Sequence, residues 1–460
     1  MTPGGDRHEL MSPVQARPEP NIRCEHAIIS HNGGLRLEVL AAKMRKNTMR
    51  CNHDYVWETG VFVVGCALLV GLLSGAEGLF PQGKGMEIGN LETALQDRRV
   101  READDPEAGE AGRVKLEHVQ LAEGAHGFAL SESRSAFRPW GFNYDHDERG
   151  RLLEDYWEKE WDKVEQDFAE MRALGANCVR IHLQFGKFMD GPDQPNQAAL
   201  RQLERLMRLA EQQQLYVDLT GLGCYHKQDI PAWYDALDES GRWTAQSRFW
   251  KTVAERVAHS PAVFCYDLMN EPVVPAGPRE RGAWLAPPFA GKHFVQFISL
   301  DQKRRDRVDI ARAWVHHMVQ AIRRVDRRHL ITVGLVDWSL DRPGLTSGFV
   351  PQKIVPELDF VAVHLYPRTG KLDPAVETLR GFAVGKPLVV EESFPLWCTA
   401  EELEQFVEKA EPLVAGWFFF YWGRTLEELA QDRDISSTIL RSWLERFRKR
   451  AKLYALRPAS

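Results

Sequence analysis

The sequence predicts an α/β fold, a closed barrel of eight parallel strands with intervening helices, and three observations carry that reading. Eight short apolar runs between Pro139 and Phe420 alternate with longer segments of 3.6-residue periodicity. Six of the runs end abruptly in a polar or aromatic residue, as strands do when their C-terminal ends share one functional face. No GxGxxG turn follows any of them, so the rival architecture, an open doubly wound sheet, lacks its usual dinucleotide site; Gly221-Leu222-Gly223 has no third glycine and reads as a turn.

The elements follow in order. Val114 to Leu121 and Gly127 to Leu130 flank a glycine turn and predict a hairpin that closes the barrel bottom. Strands are expected at Pro139 to Tyr144, Ala176 to Leu183, Leu215 to Thr220, Val263 to Met269, Leu330 to Leu335, Phe360 to Leu365, Pro387 to Glu391 and Ala415 to Phe420. Helices are expected at Trp161 to Leu174, where Val164, Phe168, Met171 and Leu174 share a face, and at Gln197 to Gln213, Gln246 to His259 and Arg307 to Val325. After the fourth strand, Pro272 is expected to hold Glu271 near an extended conformation. The segment from Pro275 to Asp301, with Trp284, Pro287 and Pro288, is long for a loop in such a barrel. It is expected to wall one end of a cleft and to favour short or terminal chains.

Residues 1–43 are irregular, rich in Pro, Gly, Arg and His, and read as a disordered or non-native extension. Residues 44–76 have the layout of an export signal: basic Met44 to Arg50, apolar Val61 to Leu73, then small Ser74-Gly75-Ala76. The apolar run is shorter than the roughly 20 residues of a membrane span, so a secreted or periplasmic protein without stable membrane insertion is expected, a retained anchor being the alternative. Residues 77–113 read as a charged linker, 114–450 as the barrel and 451–460 as a tail.

Composition sets bounds on function. With 44% hydrophobic and 27% charged residues the chain is globular, and a net charge of −6 offers no basic surplus for nucleic acid. Seven Cys without a CxxC give neither a zinc site nor a disulfide framework, and Cys178 and Cys265 read as buried small apolar residues. No cofactor is expected. Metal-dependent hydrolysis is disfavoured because His316-His317 falls on an outer helix, Asp145-His146-Asp147 lies in one loop and HExxH is absent, so ligands do not assemble. Fourteen Trp and ten Tyr suit sugar stacking as well as core packing.

In a barrel the strand ends meet, and here they bring Asn143-Tyr144, Arg180 and His182, Asn270-Glu271, His364 and Tyr366, Glu392, and Trp422 to one face. Glu271 and Glu392, distant in sequence, become neighbours only through the fold. Two facing carboxyls are what cleavage of a glycosidic bond needs, one protonated to serve the departing oxygen and one ionised. A gap of about 5 to 5.5 Å lets the ionised one attack the anomeric carbon, whereas a wider gap admits water. Arg180 is the candidate for holding one of them ionised.

YDLMNEP at Tyr266 to Pro272, VAVHLYP at Val361 to Pro367, KPLVVEES at Lys386 to Ser393, VRIHL at Val179 to Leu183 and GWFFFYW at Gly416 to Trp422 occur on the expected strands. In these motifs the chain, from about Val114 to Arg448, resembles the cellulase-like glycoside hydrolases of family 5, barrel enzymes with catalytic Glu on the fourth and seventh strands. The resemblance implies Glu271 as acid/base and Glu392 as nucleophile in a retaining reaction on a β-glucan or β-mannan type chain. It further implies that Asn270 bonds the hydroxyl beside the reacting carbon, that Arg180 and Tyr366 contact Glu392, that His364 lines the cleft and that Trp422 floors the sugar subsite. Asn143 and His182 belong to the same substrate-binding face.

The sequence also departs from the family. Ser393-Phe394 follows Glu392 where an aromatic residue and then glycine are more usual, so Glu391 competes for the nucleophile's role. Strand parity allows only one of the two to point inward. His182 stands where proline is common, and Asp218-Leu219-Thr220 lacks the histidine many members carry. The rival function is a barrel that binds glycans without cleaving them, against which the presence of both carboxylates argues.

Overall fold

The computed structural model describes residues 115–454, except 125, 343 and 344. The expected extension, export signal and linker lie outside the described residues, as do positions 455–460 of the expected tail. No helix among the described residues is long and apolar enough to cross a membrane.

Eight strands close into a barrel: β1 (Trp140–Tyr144), β2 (Cys178–Gln184), β3 (Tyr216–Gly223), β4 (Val263–Asn270), β5 (Leu330–Val336), β6 (Val361–His364), β7 (Leu388–Glu392) and β8 (Gly416–Phe420). Every neighbouring pair is parallel, including β8 with β1. All eight are buried along their whole length, because one face fills the barrel and the other meets the helices. That is why they read as apolar runs rather than as alternating patterns.

The outer layer consists of α1 (Trp161–Ala173), α2 (Gln197–Gln213), α3 (Glu239–Val257), α4 (Arg307–Arg323), the short α5 (Pro351–Ile354), α6 (Leu372–Phe382), α7 (Ala400–Ala410) and α8 (Ile435–Arg450). Their starts follow local chemistry: Asn196, Asp306 and Asp434 accept hydrogen bonds from the first turns of α2, α4 and α8, and Thr399 with Glu402 forms a capping box on α7. Helix α3 begins at Glu239, well before the expected Gln246. Asp238 caps it by accepting from Gly241 N at 2.8 Å, and the cap with tertiary packing carries the weak formers Ser240, Gly241 and Thr244 into the helix.

The N-terminal hairpin, Val119–Leu121 with Phe128–Leu130, gains a third short strand, Ala136–Phe137. Phe128 meets Phe264 and Phe360 edge-on at 5.2 and 5.3 Å. Phe137 meets Tyr216 at 4.7 Å. These partners lie at the starts of β4, β6 and β3, so the hairpin closes the end of the barrel opposite the strand C-termini. At the other end the register is irregular. It shifts between Thr332 and Gly334, opposite Asn270, and between Val363 and His364, opposite Glu392. Such bulges re-aim side chains, and they fall where the polar residues converge.

Candidate active site

Glu271 directly follows β4 with a φ of 47°, in the left-handed region, so the expectation that Pro272 holds it extended is corrected. The turn is fixed from both sides. Its N–H donates to Gly334 O at 3.0 Å and its carbonyl accepts from Gln296 N at 3.4 Å, where Pro272–Val273 pairs with Gln296–Phe297. Holding a non-glycine residue in this region costs on the order of 1–3 kcal/mol, a strain that clusters at functional sites.

Glu392 ends β7. Its Oε1 accepts from Arg180 Nη1 at 2.6 Å and its Oε2 from the Tyr366 hydroxyl at 2.8 Å. His364, ending β6, bridges the two glutamates: Nδ1 lies 3.0 Å from Glu271 Oε1 and 3.5 Å from Glu392 Oε2. Ligand-type atoms of Glu271, His364 and Glu392 all lie within 4.8 Å of one another. Burial raises the Glu392 carboxyl above its ordinary value, while His364, Arg180 and the Tyr366 hydroxyl pull it back and Glu271 pushes it up again. Burial alone would lower the His364 imidazole, but Glu392, Glu271 and Glu391 outweigh it and raise it to about 10. Donor types of a metal site thus come together in Glu271, His364 and Glu392, a grouping that the sequence spacing did not suggest.

Beneath this pair is a second layer. Arg180, fully buried, reaches Asn143 Oδ1 at 2.9 Å, Asp267 Oδ2 at 2.8 Å and Asn270 Oδ1 at 3.0 Å. The Asn143 amide donates to the carbonyls of Glu391 and Phe419 at 2.9 and 3.0 Å, so both its ends are engaged inside the protein. The amide of Asn270 donates to Phe294 O at 3.1 Å. Glu391 also points inward. Its Oε2 lies 3.4 Å from His364 Nε2 and 3.7 Å from Arg180 Nη2, beside Asp218 and Asp267. The parity argument that only one of the two glutamates turns inward is therefore corrected. The bulge opposite His364 leaves Glu391 without a partner residue on β6, and consecutive side chains both enter the interior. Gly334 makes room for this, since a Cβ there would stand 2.8 Å from His364 Nε2 and 3.0 Å from Glu391 Oε2.

His182 is buried beside the Tyr225 hydroxyl, which meets its Nδ1. Burial and Arg180 hold its imidazole well below the usual value. Trp422, after β8, is half-buried against Phe394 and His146 at ring distances of 5.1 and 5.6 Å. The fold thus gathers all nine singled-out residues at the strand C-terminal ends, with Asn143, Arg180 and Asn270 in the lower layer.

Sequence reasoning missed Asp218, Asp267, Asp145 and Lys292. For the first two a signal existed, an acid in the middle of an otherwise apolar buried strand. Asp145 enters the sequence reading only as part of a metal-ligand loop, and Lys292 lies unnamed in the long Pro275–Asp301 segment, whose length is the signal.

Residues 139–394, β1 to just past β7, match the family described as Cellulase (glycosyl hydrolase family 5). The chain belongs to glycosyl hydrolase family 5. No curated protein matches this family 5 chain in sequence. Among solved structures it resembles an exo-β-1,4-mannosidase from Opitutaceae bacterium strain TAV5, at 16% identity and a TM-score of 0.55, over 73% of this chain and 62% of that one. The chain thus spans under two thirds of that enzyme's length. It also resembles a GH5_18 variant from Bifidobacterium longum subsp. longum in complex with Manb1-4GlcNAc, at 14% identity and a TM-score of 0.52, over 70% of this chain and 80% of that one. A GH5_18 protein from Streptomyces cattleya in complex with GlcNAc gives 17% identity and a TM-score of 0.50, over 71% and 83%. At these identities the likeness is one of fold, the (β/α)8 barrel. The family is one of glycosyl hydrolases.

Proposed function

We propose that the protein is a retaining β-glycosidase acting on β-glucan or β-mannan type chains, with Glu392 as nucleophile and Glu271 as acid/base. One observation carries the reading: the nearest carboxyl oxygens of these residues lie within 4.8 Å. So close an approach supports direct attack over the wider gap of roughly 6.5–9.5 Å that accommodates a water. In the first step Glu392 Oε attacks the anomeric carbon while Glu271 gives its proton to the glycosidic oxygen. The C–O bond to the leaving sugar breaks and an α-linked glycosyl ester forms. In the second step Glu271, now ionised, takes a proton from water, whose oxygen displaces Glu392 and leaves the sugar with its β configuration.

The contacts suit these parts. Two donors, Arg180 and Tyr366, converge on Glu392, as an ionised nucleophile requires. Glu271 faces His364, which can balance the charge it acquires after giving up its proton. Asn270, with its amide oxygen held by Arg180 and its nitrogen by Phe294 O, is fixed beside Glu271 where a sugar hydroxyl would pass. The names of the structurally similar enzymes put β-mannosides first among substrates to try, with β-glucosides next. The signal layout at 44–76, outside the described residues, goes with a substrate met outside the cytoplasm.

The deciding experiment follows the first-formed product of an aryl β-glycoside by proton NMR. A β-anomer supports the double displacement, and an α-anomer would falsify it. Glu271→Ala should lower turnover of poorly leaving substrates by about 10²- to 10⁴-fold. The loss should be smaller with an activated aryl leaving group, because such a group needs no proton.

A further inference from the structure

We infer that the β1–β3 side of the pocket is a closed subsite for a single uncharged terminal sugar, recognised by Asp145, His182 and Lys292, so that the enzyme removes residues from non-reducing chain ends. The inference rests on the glycosidase reading and adds which end of the chain is attacked.

Its first support is a set of buried polar atoms without partners. Asp145 Oδ1, His182 Nε2 and Trp422 Nε1 are all inaccessible and have no hydrogen-bond partner in the protein. Asp145 and His182 are only 4% and 3% exposed. Orphaned groups of this kind are rare and costly, and each calls for an explanation. The three belong to the ends of β1, β2 and β8, which are neighbours in the barrel. A carboxylate oxygen, an imidazole nitrogen and an indole N–H at the ends of three neighbouring strands offer what the hydroxyls of one pyranose ring would satisfy.

The second support is the wall. The chain after β4 folds back over the barrel mouth: His293 N donates to Tyr225 O at 2.9 Å, Gln296 Nε2 to Leu222 O at 2.9 Å, and Phe294 packs on Tyr225 at 4.9 Å. This pinned segment carries Lys292, 6% exposed, to the turn after β1, where its Nζ lies 3.3 Å from the place a Cβ on Gly150 would occupy. Burial pushes the Lys292 ammonium down, while Asp145 and Asp147 pull the other way. Asp145 Oδ2 also meets His146 Nδ1 at 2.8 Å, so the acid faces basic groups on two sides, which fits a neutral sugar better than a uronic acid.

On the opposite side Arg368 after β6 and Trp397 after β7 are exposed. The acid/base has to lie beside the leaving oxygen, so the leaving chain runs out past β5–β7. The sugar being cleaved is left against the wall.

The test uses the full chain with borohydride-reduced manno- and cello-pentaose, alone and with a 4-O-methyl cap on the non-reducing end. Release of monosaccharide first, with the capped chains resistant, supports the closed subsite. Internal fragments, or equal cleavage of capped chains, overturn it. Lys292→Ala and Asp145→Asn should each raise KM for an aryl β-monoside about tenfold or more with a smaller change in kcat, and their melting temperatures report whether the fold is intact. A separate arm measures calorimetric binding of methyl β-mannoside and methyl β-glucoside to Glu271→Ala, which needs no turnover. Binding there that Asp145→Asn abolishes supports the subsite even if hydrolysis fails. No binding, alongside cleavage of polymer, removes the subsite while leaving the glycosidase reading in place.

Discussion

Adjacent on one strand, Glu392 looks onto the cleft with its side chain 11% exposed, while Glu391 is sealed at 0%. Each belongs to a separate group of acids. The upper one, Glu271 with Glu392, is reachable by substrate and faces donors or a cation at every short contact. The lower one, Asp218, Asp267 and Glu391, lies wholly inside the barrel with more carboxyls than cations. Asp267 is matched, accepting from Thr220 Oγ1 at 2.8 Å, Gly334 N at 2.7 Å and Arg180 at 2.8 Å. Asp218 is not, since neither of its oxygens has a hydrogen-bond donor. Identical chemistry thus meets two environments: the upper carboxyls are paired and open to the cleft, and the lower ones are sealed with fewer donors than they could accept.

Arg180 joins the two groups, so its removal should have the largest effect. Arg180→Met leaves Asp267 and Glu391 buried without their cation and Glu392 without its closest donor. Breaking a buried ion pair from one side costs about 3–5 kcal/mol. Urea unfolding of the variant should show a loss of that size together with abolished hydrolysis. A variant of wild-type stability would mean that the lower acids are kept neutral and do not need the arginine.

Next in size is the contrast between the neighbouring glutamates. Glu392→Gln should cut kcat by about three orders of magnitude or more. With an activated aryl substrate, Glu392→Ala should recover turnover in azide and yield an α-glycosyl azide. Glu391→Gln, acting only through His364 and Arg180, should lose about tenfold or less and gain nothing from azide. The reverse pattern would exchange the two roles.

That contrast also marks the limit of what the sequence discloses. The barrel was legible because its signals are local and repeated: apolar runs of strand length, amphipathic helices between them, and polar residues at the strand ends. The Glu271–Glu392 pairing follows from the fold once the strands are placed. The inward turn of Glu391 does not, because a bulge depends on how β6 and β7 pair across the barrel and leaves no mark in either strand. The left-handed turn at Glu271 escaped for a similar reason. Proline restricts its predecessor locally, but tertiary hydrogen bonds to Gly334 and Gln296 prevail. Lys292 reaches the turn after β1 only because the β4–α4 segment folds back, an event of tertiary structure alone.

The smallest effect, and the sharpest test of the lower group, is expected from Asp218→Asn. Burial, then Glu391 and Asp267, push the Asp218 carboxyl well above its ordinary value, with Arg180 pulling the other way. Burial also raises Glu391, but Arg180 and His364 outweigh it and leave that carboxyl lowered. These directions favour a neutral Asp218 beside an ionised Glu391. The sign of the stability effect follows. In the unfolded chain Asp218 releases its proton as pH rises past about 3.9, whereas in the folded chain it keeps it. The folded state therefore binds more protons throughout the window between the two values, and stability falls as pH climbs through that window. An asparagine amide of the same shape does not titrate. Asp218→Asn should then match the wild type in melting temperature near pH 4 and gain on it steadily toward pH 8, with hydrolysis within a few-fold. A gap that stays flat, or that favours the wild type more as pH rises, would show Asp218 ionised and paired, and the two acid groups would then differ in access alone.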